Sequence, residues 1–223
     1  MEYRKIDKII SYILIFLTIP FIISLSILPP LISRSFYYNQ IDSLGIVQNT
    51  GYTKEEIIEA YDDVMDFIWL HKEFKTGSLE YSEDGKSHFE DCVPLFWLDL
   101  IGAIVTSSLM LIVLILVLTK TIKIYRPKGY SPLFFGAITT ILFIVVVGII
   151  GIIDFDLLFR IFHMVFFPGK DNWLFNPYTD PVILILPVEF FMNCGIFIGV
   201  NFTVLSLIMI GYGIYTNKKL IQK

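Results

Sequence analysis

The chain carries three histidines, His71, His88 and His163, and two of them stand where acid–base chemistry can be built. His88 is followed at helical spacing by Asp91. A helix through this stretch puts the carboxylate on the imidazole's face, where it raises the ring's basicity and fixes its tautomer. His163 lies among Phe159, Phe162, Phe166 and Phe167, surroundings in which an imidazole is costly without a partner or a task. Arg160, three residues earlier on the same helical face, offers a fixed positive charge for an oxyanion or a lipid phosphate. Imidazoles give and take protons near neutral pH, so a pair of them suits general acid–base catalysis. Plainer readings stand beside this one: a surface histidine next to a surface acid, and an interfacial histidine whose tip reaches water. His71, beside Lys72 and Glu73 at a helix end, is expected to be structural. There is no HExxH, no Gly-x-Ser-x-Gly, no Gly-rich phosphate loop and no Cys-x-x-Cys. Ser87 adjoins His88, but neighbours on a helix point in different directions. A zinc site made from His88, His163 and one carboxylate stays open.

Such residues must be positioned by a membrane protein. With 55% hydrophobic and 17% charged residues among 223 and a mean hydropathy of +0.70, the chain is too apolar for a soluble domain. A helix crosses a bilayer with about 20 apolar residues, and four stretches qualify: 9–30, 96–118, 133–153 and 190–215. Arg4, Lys5 and Lys8 ahead of the first imitate a secretory signal. The apolar run is too long for one, however, and Leu28-Pro29-Pro30-Leu31 lacks the small residues of a cleavage site, so a retained anchor is expected. Lysine and arginine set the orientation. Residues 1–8, the loop 119–132 with Lys120, Lys123, Arg126 and Lys128, and the tail 216–223 with Lys218, Lys219 and Lys223 hold ten of the 17 basic residues, against only Glu2 and Asp7 among the acids. These segments are expected in the cytoplasm, which puts 31–95 and 154–189, and with them His88 and His163, on the outer side. The spans carry almost no polar pathway, which argues against a transporter; Asn201 is expected to hydrogen-bond between helices.

The fold class expected is an all-α membrane protein, four transmembrane helices with a small extracytoplasmic, mainly helical cap. Residues 31–95 are too few for a comfortable core of their own. Thr53-Lys54-Glu55-Glu56 forms a capping box, and Ile57, Tyr61, Val64, Met65 and Ile68 follow as an apolar stripe, with Glu59, Asp62, Asp63 and Asp66 outside it. Residues 74–81 read as irregular or a short strand pair. A second helix begins at Ser82 or Ser87, bringing His88, Asp91 and Cys92 to one face, and Pro94 predicts a kink or break. Five phenylalanines from Phe155 to Phe167 predict a segment lying in the interface or against the cap. The turn-rich loop 169–177 puts Trp173 at headgroup depth. Asp180-Pro181 reads as an N-cap followed by proline at the first helical position, with a break near Pro187; Glu189 is an interfacial acid or part of the site. Cys92 and Cys194, near outer ends of spans, read as packing residues, although a disulfide is conceivable.

Four spans, Ser82 to His88 to Asp91 in a long first outer segment, Phe162-His163-x-x-Phe166-Phe167 with Trp173 in the second, and Leu186-Pro187-x-Glu189 resemble the lipoprotein intramolecular transacylase family of low-GC Gram-positive bacteria. The resemblance covers most of the chain. The family pattern places methionine after the first histidine and valine after the aspartate; Phe89 and Cys92 stand there, apolar exchanges that leave the histidine and aspartate in place. The resemblance implies an enzyme of the bacterial cell membrane that moves an acyl chain from the glycerol sn-2 position of a diacylglyceryl-modified lipoprotein to the α-amino group of its own amino-terminal cysteine, giving the lyso form. It implies no cofactor and no metal. His88 and His163 would be catalytic, with Asp91, Arg160, Phe162, Phe166, Phe167, Trp173 and Glu189 supporting them or binding substrate. The partners expected are diacylglyceryl-modified lipoproteins and membrane lipid, not nucleic acid. Two other classes compete. A nonenzymatic sensor or assembly factor would tolerate loss of both histidines, and a metal-dependent intramembrane hydrolase would need a third ligand beside them.

Overall fold

The computed structural model describes residues 3–221, with side-chain surroundings as far as Asn217. Glu2 and Lys223, and the side chains of Lys218 and Lys219, all used above for orientation, lie outside the described residues. The elements are α1 (Lys5–Ile32), α2 (Arg34–Ile41), α3 (Ile46–Thr50), α4 (Lys54–Leu70), α5 (Glu83–Leu118), α6 (Pro132–Ile153), α7 (Phe155–Phe166), α8 (Val182–Ile185) and α9 (Val188–Ile221). Among the described residues the sole β pairing is one bridge between Thr76 and Ser78, so residues 74–81 are irregular, as expected. Helices α1, α5, α6 and α9 are long and apolar enough to cross a membrane.

Of the kink or break expected at Pro94, the break does not occur in α5. The helix runs unbroken through Pro94 for 36 residues, about 54 Å at helical rise, which exceeds the roughly 30 Å of hydrocarbon. Proline removes one main-chain hydrogen bond, and here that loss does not end the helix. Of the two starts foreseen, Ser82 is used: its Oγ accepts from the Gly85 amide at 3.0 Å, and Ser87 lies inside the helix.

The chain forms two compact units. The first comprises residues 1–28, 99–149 and 198–223. Its helices approach through small residues. A Cβ on Gly136 would lie 2.5 Å from Thr18 Cβ and 2.6 Å from the Ile15 carbonyl oxygen, and one on Gly102 would lie 2.8 Å from Ser24 Oγ. Close approach of this kind holds spans together in lipid, where apolar burial offers little net drive. The buried Asp7 carboxylate accepts from the Arg4 guanidinium at 2.9 Å and the Lys123 amide at 3.1 Å, and Ser11 Oγ accepts from the Tyr125 amide at 2.8 Å. The basic loop is thereby pinned to the first turns of α1. Asn201 donates to the Ser26 carbonyl at 3.5 Å, the interhelical role expected of it.

The second unit comprises Pro29–Leu98 and Ile150–Phe197. Thr53 and Glu56 make the reciprocal capping box that starts α4, and the stripe from Ile57 to Ile68 is buried. It packs with Tyr37, Ile41, Val182, Ile185 and Phe190, so residues 31–95 complete their core with side chains from the later segment. Tyr37 stacks on Tyr61 at 4.0 Å and donates to the Ile185 carbonyl at 2.6 Å. The acids outside the stripe are partly engaged: Arg34 pairs with Asp62 at 2.9 Å and also with Asp66. His71 closes α4 in a left-handed conformation, φ 53°, and stacks on Trp97, a structural role. The break expected at Pro187 separates α8 from α9. Cys92 and Cys194 are both free thiols.

Candidate active site

Two local devices place the histidines. At the start of α5, the Asp180 carboxylate accepts from the Ser82 amide at 2.8 Å and the Ser82 hydroxyl at 2.9 Å. A Cβ on Gly85 would fall 2.1 Å from Asp180 Oδ1, so only glycine admits this carboxylate. Asp180 was expected to cap its own helix, α8; its side chain instead caps α5, where a negative charge suits the positive helix end. At α7, Asp154 Oδ1 accepts from the Leu157 amide at 2.8 Å and starts a helix whose buried residue is His163. Phe162 and Phe166 on the same helix are 45% and 48% exposed. With its imidazole buried and Phe162 and Phe166 turned outward, the helix presents an apolar surface of the kind that suits lipid.

The rings of His88 and His163 lie 5.6 Å apart, centroid to centroid, with planes 32° apart; the residues are 6% and 5% exposed. Phe167 lies 5.0 Å from the first and 5.6 Å from the second. Phe175 is 5.4 Å from His88, and Trp173 stacks on His163 at 4.5 Å. His163 Nδ1 donates to the Phe159 carbonyl at 2.7 Å. A carbonyl only accepts, so Nδ1 carries the proton and Nε2 keeps a free lone pair. His88 Nε2 lies 3.6 Å from Cys92 Sγ, and its Nδ1 has no hydrogen bond among the described residues. His88 sits on the polar turns ahead of the apolar stretch that begins at Phe96. Burial pushes its pKa down to about 4, reinforced by His163 and opposed by the Asp91 charge. Burial lowers His163 as well, against its bond to Phe159. Both rings are therefore neutral at neutral pH, as a proton acceptor must be.

Residues 11–191 match the family described as lipoprotein intramolecular transacylase Lit. The chain belongs to this family. The crystal structure of the membrane-integral transacylase Lit from Bacillus cereus superposes with a TM-score of 0.84 at 26% identity, covering 98% of this chain and 99% of that one. Variants of the same enzyme with a single histidine replaced by arginine or by alanine superpose at TM-scores of 0.75 and 0.77, each at 26% identity, covering 97% and 98% of this chain and 94% and 96% of theirs. No curated protein sequence matches. The expected fold, a multi-pass all-helical membrane protein, is the one this transacylase family adopts.

The fold brings some expected site residues together and leaves others apart. Phe167 and Trp173 meet the histidines, Trp173 by stacking on His163. Asp91 shares a helix face with His88 but does not hold it. Its carboxylate pairs with Lys170 and accepts from Asn172 Nδ2 at 2.9 Å, partners that keep its pKa below the usual range despite burial. Arg160 and Glu189 are exposed, with no hydrogen bond or ion pair among the described residues. No group of three His, Cys, Asp or Glu side chains that could hold a metal ion occurs among the described residues, so the zinc arrangement lacks its third ligand there. Lys170, Asn172 and Phe175 went unseen in the sequence, where they read as ordinary members of a turn-rich loop.

Proposed function

We propose that the protein moves the sn-2 acyl chain of a diacylglyceryl-modified lipoprotein to the α-amino group of the same lipoprotein's amino-terminal cysteine, with His88 and His163 as the proton-transferring pair. The amine nitrogen attacks the ester carbonyl, the new carbon–nitrogen bond forms, and the bond to the glycerol sn-2 oxygen breaks. Nε2 of His163 takes the proton that the amine loses, because its Nδ1 is committed to Phe159. That proton passes from His163 to the neighbouring His88, and the His88 imidazolium delivers it to the departing glycerol oxygen, which leaves both rings neutral. No proton is gained or lost overall, and an ester is exchanged for a more stable amide, so no cofactor is required. An α-amino group titrates near 7.7–8.0, which leaves part of it neutral and nucleophilic at the pH where both imidazoles are uncharged. Phe162, Phe166, Phe167 and Trp173 would line the glyceride's path, with Arg160 and Glu189 near its headgroup. The amino and carboxyl termini lie in the cytoplasm in this scheme, and the histidines work at the outer face of the bacterial cell membrane, where lipoprotein acyl chains are anchored.

The observation that carries the proposal is the approach of two buried imidazoles to 5.6 Å from distant segments of a family member's chain. Mass spectrometry of a lipoprotein's amino-terminal peptide, from cells with and without this protein, tests it. The expected product has one acyl chain on nitrogen and one on glycerol. An unchanged diacylglyceryl peptide with a free amine in both strains contradicts it.

A further inference from the structure

Asn172 lies on the loop that follows α7 and reaches back to α5. Its Nδ2 donates to Asp91 Oδ2 at 2.9 Å and approaches Ser87 Oγ at 3.4 Å, residues that flank His88 within one helical turn. Asp91 in turn is fixed by its ion pair with Lys170. The amide nitrogen is thus committed to α5, which leaves Asn172 Oδ1 buried and without a partner among the described residues. In the second unit the only other buried side-chain nitrogen or oxygen in that condition, among the described residues, is His88 Nδ1. One of these atoms is an acceptor and the other can be a donor, and buried polar atoms in folded proteins are paired with few exceptions. A small turn of the ring or the amide joins them.

We propose that Asn172 is a positioning residue for His88, accepting from its Nδ1–H while Asp91 and Lys170 hold the amide in register. The inference rests on the reading that His88 takes part in acyl transfer. It gives His88 the same tautomer that Phe159 gives His163, which leaves Nε2, beside Cys92, as the nitrogen that can take and give a proton. It also supplies what an acid at this position needs. His88 must carry a proton on both nitrogens for part of the cycle, and an oxygen facing Nδ1–H, backed by the Asp91 carboxylate, favours that charged form. The titratable and charged groups facing His88 are Asp91 and Cys92 on its own helix, His163 on α7 and Lys170 on the loop. Asn172 and Asp91 raise its proton affinity, and His163 and Lys170 lower it.

The test is the initial rate of acyl transfer on a diacylglyceryl lipopeptide, by the full-length protein in lipid, followed between pH 3 and 9. Asn172→Ala is expected to lower kcat about 10- to 100-fold, the scale of loss known for the outer hydrogen-bond partner of a metal-bound imidazole, with KM nearly unchanged. Asn172→Asp keeps an acceptor oxygen and adds negative charge, so the acid limb of the rate profile moves upward by about one pH unit. Exchanging the pair, Asp91→Asn with Asn172→Asp, restores donor to acceptor and exceeds either single variant in rate. Should Asn172→Ala fail to accumulate, Asp91→Asn alone serves: its acid limb moves downward, because a charge that favours protonated His88 is gone. A parent-like rate and pH profile in these variants, in a protein that His88→Ala inactivates, overturns the role of Asn172. A fully active His88→Ala overturns the catalytic reading itself.

Discussion

In the unit built from residues 1–28, 99–149 and 198–223, helices meet where side chains are missing: Gly136 lies against Thr18 and the Ile15 carbonyl, and Gly102 against Ser24. In the unit built from Pro29–Leu98 and Ile150–Phe197, helices are short and are held by side chains that are present: Tyr37 on Tyr61 and Ile185, Arg34 on Asp62 and Asp66, and Asp180 on Ser82. The first unit has close packing and little chemistry. The second spends polar and aromatic side chains on fixing two imidazoles, and its glycine at 85 makes room for a carboxylate rather than for another helix. A substitution in the first unit should therefore change how much folded protein exists, whereas one near the histidines should change what each folded molecule does.

The largest expected effect falls on His88→Ala and His163→Ala, each lowering acyl transfer by about 100- to 10,000-fold, the usual worth of a positioned acid or base, with normal abundance in the membrane. Gly85→Ala should couple the two properties. Displacing Asp180 from Ser82 costs about 1–3 kcal/mol by overpacking and also lowers the specific activity, since His88 lies one turn further along α5. Gly136→Ala should cost a similar amount, seen as a lower unfolding temperature in lipid or detergent, yet leave the specific activity of the surviving protein intact. If its specific activity falls as far as that of Gly85→Ala, the division of labour between the units fails. Acid should act on the second unit. His88 titrates at about 4 when buried against 6.5 when free, so the unfolded chain binds its proton first; stability present above pH 6.5 is lost as the pH falls toward 4, by about 2–3 kcal/mol for this group. His88→Gln should flatten that part of the stability curve. Thr53→Ala removes one capping box at a cost of about 1 kcal/mol. Arg160→Ala should change rate by less than about threefold, as befits an exposed side chain.

The four spans were legible because length and apolarity decide them almost without context, and α4 was legible because a capping box and a five-residue stripe agree. Helices α2 and α3, of 8 and 5 residues, are too short to display a period, and tertiary contacts to Tyr37, Ile41 and Ile46 form them. Pro94 did not decide between a kink and a break, because proline reports a lost hydrogen bond but not whether the neighbouring turns can carry the helix onward. Asp180 precedes α8 in sequence and so reads as its cap, whereas its partner Ser82 lies 98 residues away along the chain. At the site, the two histidines, Phe167 and Trp173 could be named from residue type and surroundings. The ties of Asp91 to Lys170 and Asn172 could not, since they join a helix to an irregular loop whose path no periodicity encodes.

The most direct measurement uses the purified protein in liposomes with a diacylglyceryl lipopeptide whose sn-2 chain alone carries an isotopic label, read by mass spectrometry for parent, His88→Ala and His163→Ala. The expected result is label on the cysteine nitrogen with the parent protein, and label left on glycerol with either variant. Label reaching nitrogen at the parent's rate in either histidine variant, or unlabelled acyl transferred by the parent, would contradict the paired-imidazole mechanism.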